Sequence, residues 1–292
     1  MKHYTLTLKN RQMELGERTC IMGILNITPN SFSDGGRFFD TETALAHAEQ
    51  MARSGADIID IGGESTRPFS DPVSPEEEIK RVVPVIEKLS ERIDIPISID
   101  TTKASVARQA IAAGAAVIND ISGLRLDPEI AEVAAQYGAP LILMHMKGTP
   151  KTMQAHPHYD DLIGEIGEFL ENAIAKARAA GVPQNRIIAD PGIGFGKTLS
   201  HNLCLINRLN AFERLDVPIL VGSSRKSFIR SLLRKNDQPD IDPAHPRVET
   251  GTQATVAAAI LRGAHIVRVH DVENTVVTAR IIDAIRNVSD NP

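Results

Sequence analysis

No stretch of the 292 residues is apolar for the length that a membrane crossing requires. The opening segment, MKHYTLTLKN, lacks the apolar centre of a secretion signal and the Arg- and Ser-rich character of a transit peptide. An excess of basic charge is also missing. Lys and Arg number 32 against 37 Asp and Glu, a net of -5, which argues against nonspecific nucleic-acid binding. There are only two cysteines, Cys20 in an expected strand and Cys204 in an expected helix. They read as buried, reduced thiols and fit a cytoplasmic enzyme. No Ser/His/Asp triad or nucleophilic-cysteine motif stands out. The run GIGFGKT at 192–198 looks like a P-loop, but Pro191 stands where the first glycine belongs. As a dinucleotide fingerprint it fails at Lys197. His156, His158, Asp160 and Asp161 follow no zinc spacing and read as a polar loop before a helix.

What remains is an ordinary globular composition, 42% hydrophobic and 24% charged, in a chain long enough for a full core. One pattern recurs along it: a short apolar run, a polar or charged residue at its end, a loop, then a helix. The clearest case is IIADPGIGFGK at 187–197. Pro191 cannot continue a ladder, and the glycines open backbone angles that other residues resist. Strands are expected at 21–25, 58–61, 97–99, 116–118, 141–144, 187–189, 219–221 and 266–269. Helices are expected at 41–54, from 74, and at 103–113, 128–137, 160–180, 200–209, from 228 and at 275–287. Ser74-Pro75 with Glu77 reads as a helix cap, first-turn proline and capping acid. Eight strand-then-helix units predict a parallel sheet covered by helices, and one closed (β/α)8 TIM barrel over residues 1–292 as a single domain. A short β-rich lead-in precedes it, where Tyr4, Leu6 and Leu8 alternate with polar residues. A doubly wound open sheet is the alternative. The polar stretch 234–249 reads as a surface loop, followed by a further helix at 251–262.

Active sites of such barrels form at the C-terminal ends of the strands. Those ends carry Asn26, Thr66-Arg67, Asp100, Asn119, Met144, Asp190, Lys226-Ser227, Arg268 and His270. Turn chemistry explains one Asn or Asp, but not so many together. Asp100, Asn119 and Asp190 suit a flat heterocycle with several N–H groups. Arg67, Lys226, Arg268 and His270 converging on an acidic chain suggest a phosphorylated ligand, although any single one reads equally as a solvated charge. The amide oxygen of Asn26 suits a hard cation that holds phosphate oxygens.

These residues fall within stretches that resemble the dihydropteroate synthase family. The stretches are MGILNITPNSFSDGG (22–36), DIIDIGGESTRP (57–68), SIDT (98–101), INDISG (118–123), MHMKGTPKTMQ (144–154), DPGIGFGK (190–197), GSSRKS (222–227) and RVHDV (268–272). They span nearly the whole chain. The resemblance implies condensation of a hydroxymethyl-dihydropterin diphosphate with p-aminobenzoate, giving dihydropteroate and pyrophosphate, with Mg2+ assisting and with sulfonamides as inhibitors. It implies that Asp100, Asn119 and Asp190 hold the pterin edge, that Met144 packs beside the ring, and that Lys226 serves both pterin and aminobenzoate. It gives the diphosphate to Asn26, Arg67, Arg268 and His270, with Asn26 acting through the metal. Phe32, Thr66, Arg67, Pro68, Phe195 and Ser227 would complete the aminobenzoate site, and Lys226, Asp100, Asp190 and Arg268 would be catalytic. A homodimer is implied as well. The chain departs from the family pattern at Asn30 and at Phe69-Ser70, which bear on loop closure and sulfonamide response. A corrinoid-dependent methyltransferase, which shares the barrel and the pterin-binding acids, is the nearest rival, and a noncatalytic pterin-binding protein is another.

Overall fold

The computed structural model describes residues 1–9, 11–27, 37–65, 70–234 and 239–288, without the side chains of 37–40. Strands β1 (Tyr4–Thr7) and β2 (Gln12–Leu15) form an antiparallel hairpin. Then come β3 (Cys20–Asn26), α1 (Arg37–Arg53), β4 (Ile58–Gly62), α2 (Pro75–Ser90), β5 (Ile97–Asp100), α3 (Ala104–Ala112), β6 (Val117–Asp120) and α4 (Glu129–Tyr137). The second half continues with β7 (Leu141–Met144), α5 (Leu162–Ala179), β8 (Ile187–Asp190), α6 (Leu199–Asn207), β9 (Leu220–Val221), α7 (Ser227–Leu233), α8 (Pro246–Leu261), β10 (Ile266–Val269) and α9 (Val272–Asn287).

Strands β3 to β10 pair in parallel in the order β8-β7-β6-β5-β4-β3-β10-β9. The ring is completed by a parallel bridge from Ala189 to Ile219, with Ala189 N donating to Pro218 O at 3.0 Å. The expected barrel is therefore present. Strand side chains alternate between two faces, and both faces here have assigned neighbours. Ile59, Ile61, Ile97, Ile99, Ile118, Leu141, Leu143, Ile187, Val267 and Val269 face outward into the core shared with the helices. Met22, Ile58, Val117, Ile142, Ile188, Leu220 and Ile266 face inward. Leu6, Leu8 and Leu15 pack against that inner set, so the hairpin plugs the N-terminal end of the barrel.

The expected cap of α2 is found: Ser74 accepts from Glu77 N at 3.3 Å and Pro75 opens the helix. Two expectations need correction. Helix α8 begins at Pro246, not at 251, because Pro fits the first helical position and the His245 side chain accepts from Arg247 N. Cys204 is only half-buried, since it lies on the partly exposed side of α6, whereas Cys20 is buried; both thiols are free.

Candidate active site

Advancing two residues along a strand keeps the same inward face and moves toward the C-terminal mouth. In β4 that step leads from Ile58 to Asp60, in β6 from Val117 to Asn119, in β7 from Ile142 to Met144, in β8 from Ile188 to Asp190, and in β10 from Ile266 to Arg268. Asp100 ends β5. An apolar floor thus gives way to a buried polar layer: Asp60 is 0%, Asn119 3%, Asp190 5% and Asp100 8% exposed.

Arg268 ties this layer together. Its Nε donates to Asp60 Oδ2 at 2.6 Å and its Nη2 to Asp100 Oδ2 at 2.7 Å. Asn119 Nδ2 donates to the same Asp60 oxygen at 3.0 Å. Burial works against the charge on Arg268, but Asp60 and Asp100 outweigh it and raise its pKa. Burial pushes the Asp100 carboxyl up to about 7, opposed by Arg268 and reinforced by Asp60. Asp190 is also raised by burial, opposed by Lys226, and it accepts from Gly192 N at 2.7 Å.

Lys226, the residue before α7, reaches across to the β8 loop. Its ammonium donates to Ile193 O and lies 4.4 Å from the centre of the Phe195 ring. Burial draws it down to about 7, against the pull of Asp190. The glycines explain the close approach. A Cβ on Gly194 would lie 2.6 Å from Lys226 Cδ, and one on Gly192 would lie 1.9 Å from His145 O; both glycines have positive φ. Met144, Ile121, Met146 and Met153 form an apolar wall with Phe195 against it. His270 meets Ser224, with Oγ and Nδ1 2.9 Å apart. Ser227 is exposed at the start of α7.

Asn26 ends β3. A Cβ built on Gly62 would lie 3.7 Å from Asn26 Oδ1 and 3.8 Å from Asp100 Oδ2, so both oxygens border one glycine-lined space. Among the described residues no three His, Cys, Asp or Glu form a metal cage. An amide oxygen beside a carboxylate suits a magnesium ion that completes its shell with water and phosphate oxygens.

The structure therefore brings together Asp100, Asn119, Asp190 and Arg268, places Lys226 and Phe195 in contact, and sets Asn26 beside Asp100. Phe32, Thr66, Arg67 and Pro68 lie outside the described residues, as do Asn30 and Phe69. Three features escaped the sequence reading. Asp60 was hidden inside an apolar strand run, although an acid in the middle of such a run is itself a signal. Lys197, 3% exposed, bonds His145 Nδ1 and Phe195 O, each at 3.0 Å, and so braces the glycine loop. Lys103 joins Glu64 to the fully buried Glu78, whose Oε2 it meets at 2.5 Å, and so ties down the segment after β4. The polar loop expected before α5 is exposed at His158 and Asp160, with 80% and 97% of their side chains open to solvent.

Residues 22–270 match the model of the pterin binding enzyme family. The dihydropteroate synthase of Synechocystis is 52% identical over 271 residues, covering 92% of this chain and 91% of that protein. The Yersinia pestis dihydropteroate synthase, solved as a complex with a sulfonamide drug, superposes with a TM-score of 0.89 at 45% identity, covering 97% of this chain and 100% of that one. The Xanthomonas albilineans dihydropteroate synthase, solved with 4-aminobenzoic acid, also gives 0.89, at 42% identity, with 99% and 100% covered.

Proposed function

The chain belongs to the pterin binding enzymes, and within them to the dihydropteroate synthases; from that premise we propose which of its residues carry the reaction. The enzyme condenses 6-hydroxymethyl-7,8-dihydropterin diphosphate with p-aminobenzoate to give 7,8-dihydropteroate and pyrophosphate. The single observation that carries the assignment of roles is the buried polar layer, in which two carboxylates, Asp60 and Asp100, hold one guanidinium.

Asp100, Asn119 and Asp190 hold the pterin edge, and Met144 packs beside its ring. The carbon that bears the diphosphate is attached to an electron-rich ring, so its bond to oxygen breaks ahead of attack. Positive charge then grows on the pterin, where Asp100 and Asp190 stabilise it. Arg268, His270 and Arg67 meet the leaving diphosphate, whose charge a low-dielectric site must neutralise. The aniline nitrogen of p-aminobenzoate is already nucleophilic, so no covalent enzyme intermediate is needed. Lys226 hydrogen-bonds the pterin and borders the aminobenzoate pocket, together with Phe195, Ser227, Thr66, Arg67, Pro68 and Phe32. The loops after β3 and β4 exclude water from the cationic centre. Asn26 holds Mg2+, which when bound supplies charge neutralisation to the phosphate oxygens. Sulfonamides, as p-aminobenzoate mimics, would occupy the same pocket.

The whole chain acts as one domain, and two copies pair. In support of pairing, Val277, Ile281 and Ile285 repeat every four residues on α9 at 56%, 56% and 57% exposure, and Leu261 at the end of the neighbouring α8 is 53% exposed. Such a stripe is unusual on a monomer surface. Two free thiols support a cytoplasmic location.

Calorimetry of pyrophosphate binding tests the phosphate half of the site. Binding is expected to weaken sharply when a chelator removes magnesium. Equal affinity with and without the metal would remove Asn26 from its role.

A further inference from the structure

Asp60 lies inside an apolar strand with no exposure, and the chemistry above gives it no task. Burying a carboxylate costs several kcal/mol even after relaxation, and Ile58, two residues earlier on the same face, shows what a filler looks like. What Asp60 gains is control of two neighbours through one atom. Its Oδ2 accepts from Arg268 Nε at 2.6 Å and from Asn119 Nδ2 at 3.0 Å, while its Oδ1 is buried with no hydrogen-bond partner among the described residues.

An amide carries donors on one side and an acceptor on the other. The carboxylate repels an amide oxygen, so Nδ2 must be the group that turns to Asp60. The Asn119 oxygen then points away from it, and Asn119 meets a ligand as an acceptor. Arg268 is held differently by its two acids. Asp60 is fully enclosed two residues before the end of β4, whereas Asp100 sits at the end of β5 and is 8% exposed. The inner bond to Nε is the permanent one. The outer bond, from Nη2 to Asp100 at 2.7 Å, faces the mouth and is the one a ligand can replace.

We infer that Asp60 is a positioning residue that anchors Arg268 by its Nε, so that the outer nitrogen passes from Asp100 to the diphosphate while the side chain stays in place, and that it sets Asn119 as an acceptor for the pterin. This rests on the site reading given above. Release of Asp100 as the diphosphate arrives couples recognition of the two halves of one substrate.

A double-mutant cycle of Asp60→Asn and Arg268→Lys tests this with both substrates in magnesium buffer. Lysine keeps the charge of Arg268 and lacks its fork. A hydrogen bond to a charged group is worth about 10–100-fold, so Asp60→Asn is expected to raise the KM for the dihydropterin diphosphate on that scale. The KM for p-aminobenzoate stays unchanged, and adding Asp60→Asn to Arg268→Lys costs less than it does in the wild type, because only the share exerted through Asn119 remains. A wild-type KM in Asp60→Asn, or additive losses in the double variant, would overturn the inference. Should Asp60→Asn fail to fold, nitrogen-15 spectra of the unmodified enzyme answer instead. The Arg268 Nε–H signal, identified by its loss in Arg268→Lys, is expected to stay protected from solvent exchange after pyrophosphate and magnesium are added. Exchange rising to that of a free arginine would contradict a permanent anchor. If Arg268→Lys itself binds pyrophosphate as the wild type does, the site reading falls and takes the inference with it; if only Asp60→Asn is silent, the site reading stands.

Discussion

Ile188 and Asp190 lie two residues apart on β8, face the same interior and are both shut off from solvent, at 0% and 5% exposure. Their energetics run in opposite directions. Enclosing Ile188 contributes about 1.5–3 kcal/mol of apolar burial. Enclosing Asp190 disfavours its charged form and raises its pKa. The same step from an apolar floor residue to a charged one repeats around the barrel, from Ile58 to Asp60 and from Ile266 to Arg268. The lower storey, sealed by the hairpin leucines, supplies stability; the upper storey spends it on charges held out of water. A preorganised, water-poor site strengthens each electrostatic contact made there, which is why the costly residues sit at the mouth and not on the floor.

The sharpest way to break this division is Lys226→Ala. Loss of one transition-state donor costs about 10²–10³ in turnover, and the fold is expected to survive, because Lys226 contributes no part of the floor. A near-normal rate would remove Lys226 from the chemistry. The opposite case is Leu15→Ala, in the plug. A buried Leu→Ala change costs about 2–5 kcal/mol of stability, while turnover per folded molecule stays as in the wild type. A fall in turnover at full folding would mean that the floor shapes the site directly. A subtler effect concerns pH. Burial brings the folded-state pKa of Lys226 to about 7, whereas an unfolded lysine titrates near roughly 10.4. Between these values the unfolded chain keeps a proton that the folded chain has released, so rising pH favours folding. The stability of the wild type relative to Lys226→Met should therefore climb from about pH 7 toward 10 and be flat below 7. A difference independent of pH would show that Lys226 holds its proton normally.

The barrel was legible because each strand is short, apolar and followed by punctuation, as in IIADPGIGFGK. The site was legible in part for the same reason: Asn119 and Asp190 are the first polar residues after an apolar run and Asp100 is the first charged one, so the end of a strand marked them out. Asp60 does not end a strand. It sits between Ile59 and Ile61, and only the pairing of β4 with β3 and β5 shows that it shares a face with Arg268 rather than with the helices. The partners of Arg268 were equally hidden, since they lie 208 and 168 residues away in sequence. Lys197 looked like the end of a glycine motif, but the packing of His145 and Phe195 around it made it a buried brace. The start of α8 was misplaced because His245-Pro246 lies in a polar stretch with no apolar period to announce a helix.

Pyrophosphate release from the dihydropterin diphosphate, measured with p-aminobenzoate for Ile188→Val and Asp190→Asn side by side, tests the central claim most directly. Ile188→Val should lose about 0.5–1.5 kcal/mol of stability and keep its turnover. Asp190→Asn should keep its fold and lose roughly 10–100-fold in pterin affinity, the worth of a charged hydrogen bond. If Asp190→Asn instead unfolds while its residual folded fraction turns over normally, the acid is structural and the two-storey account is wrong.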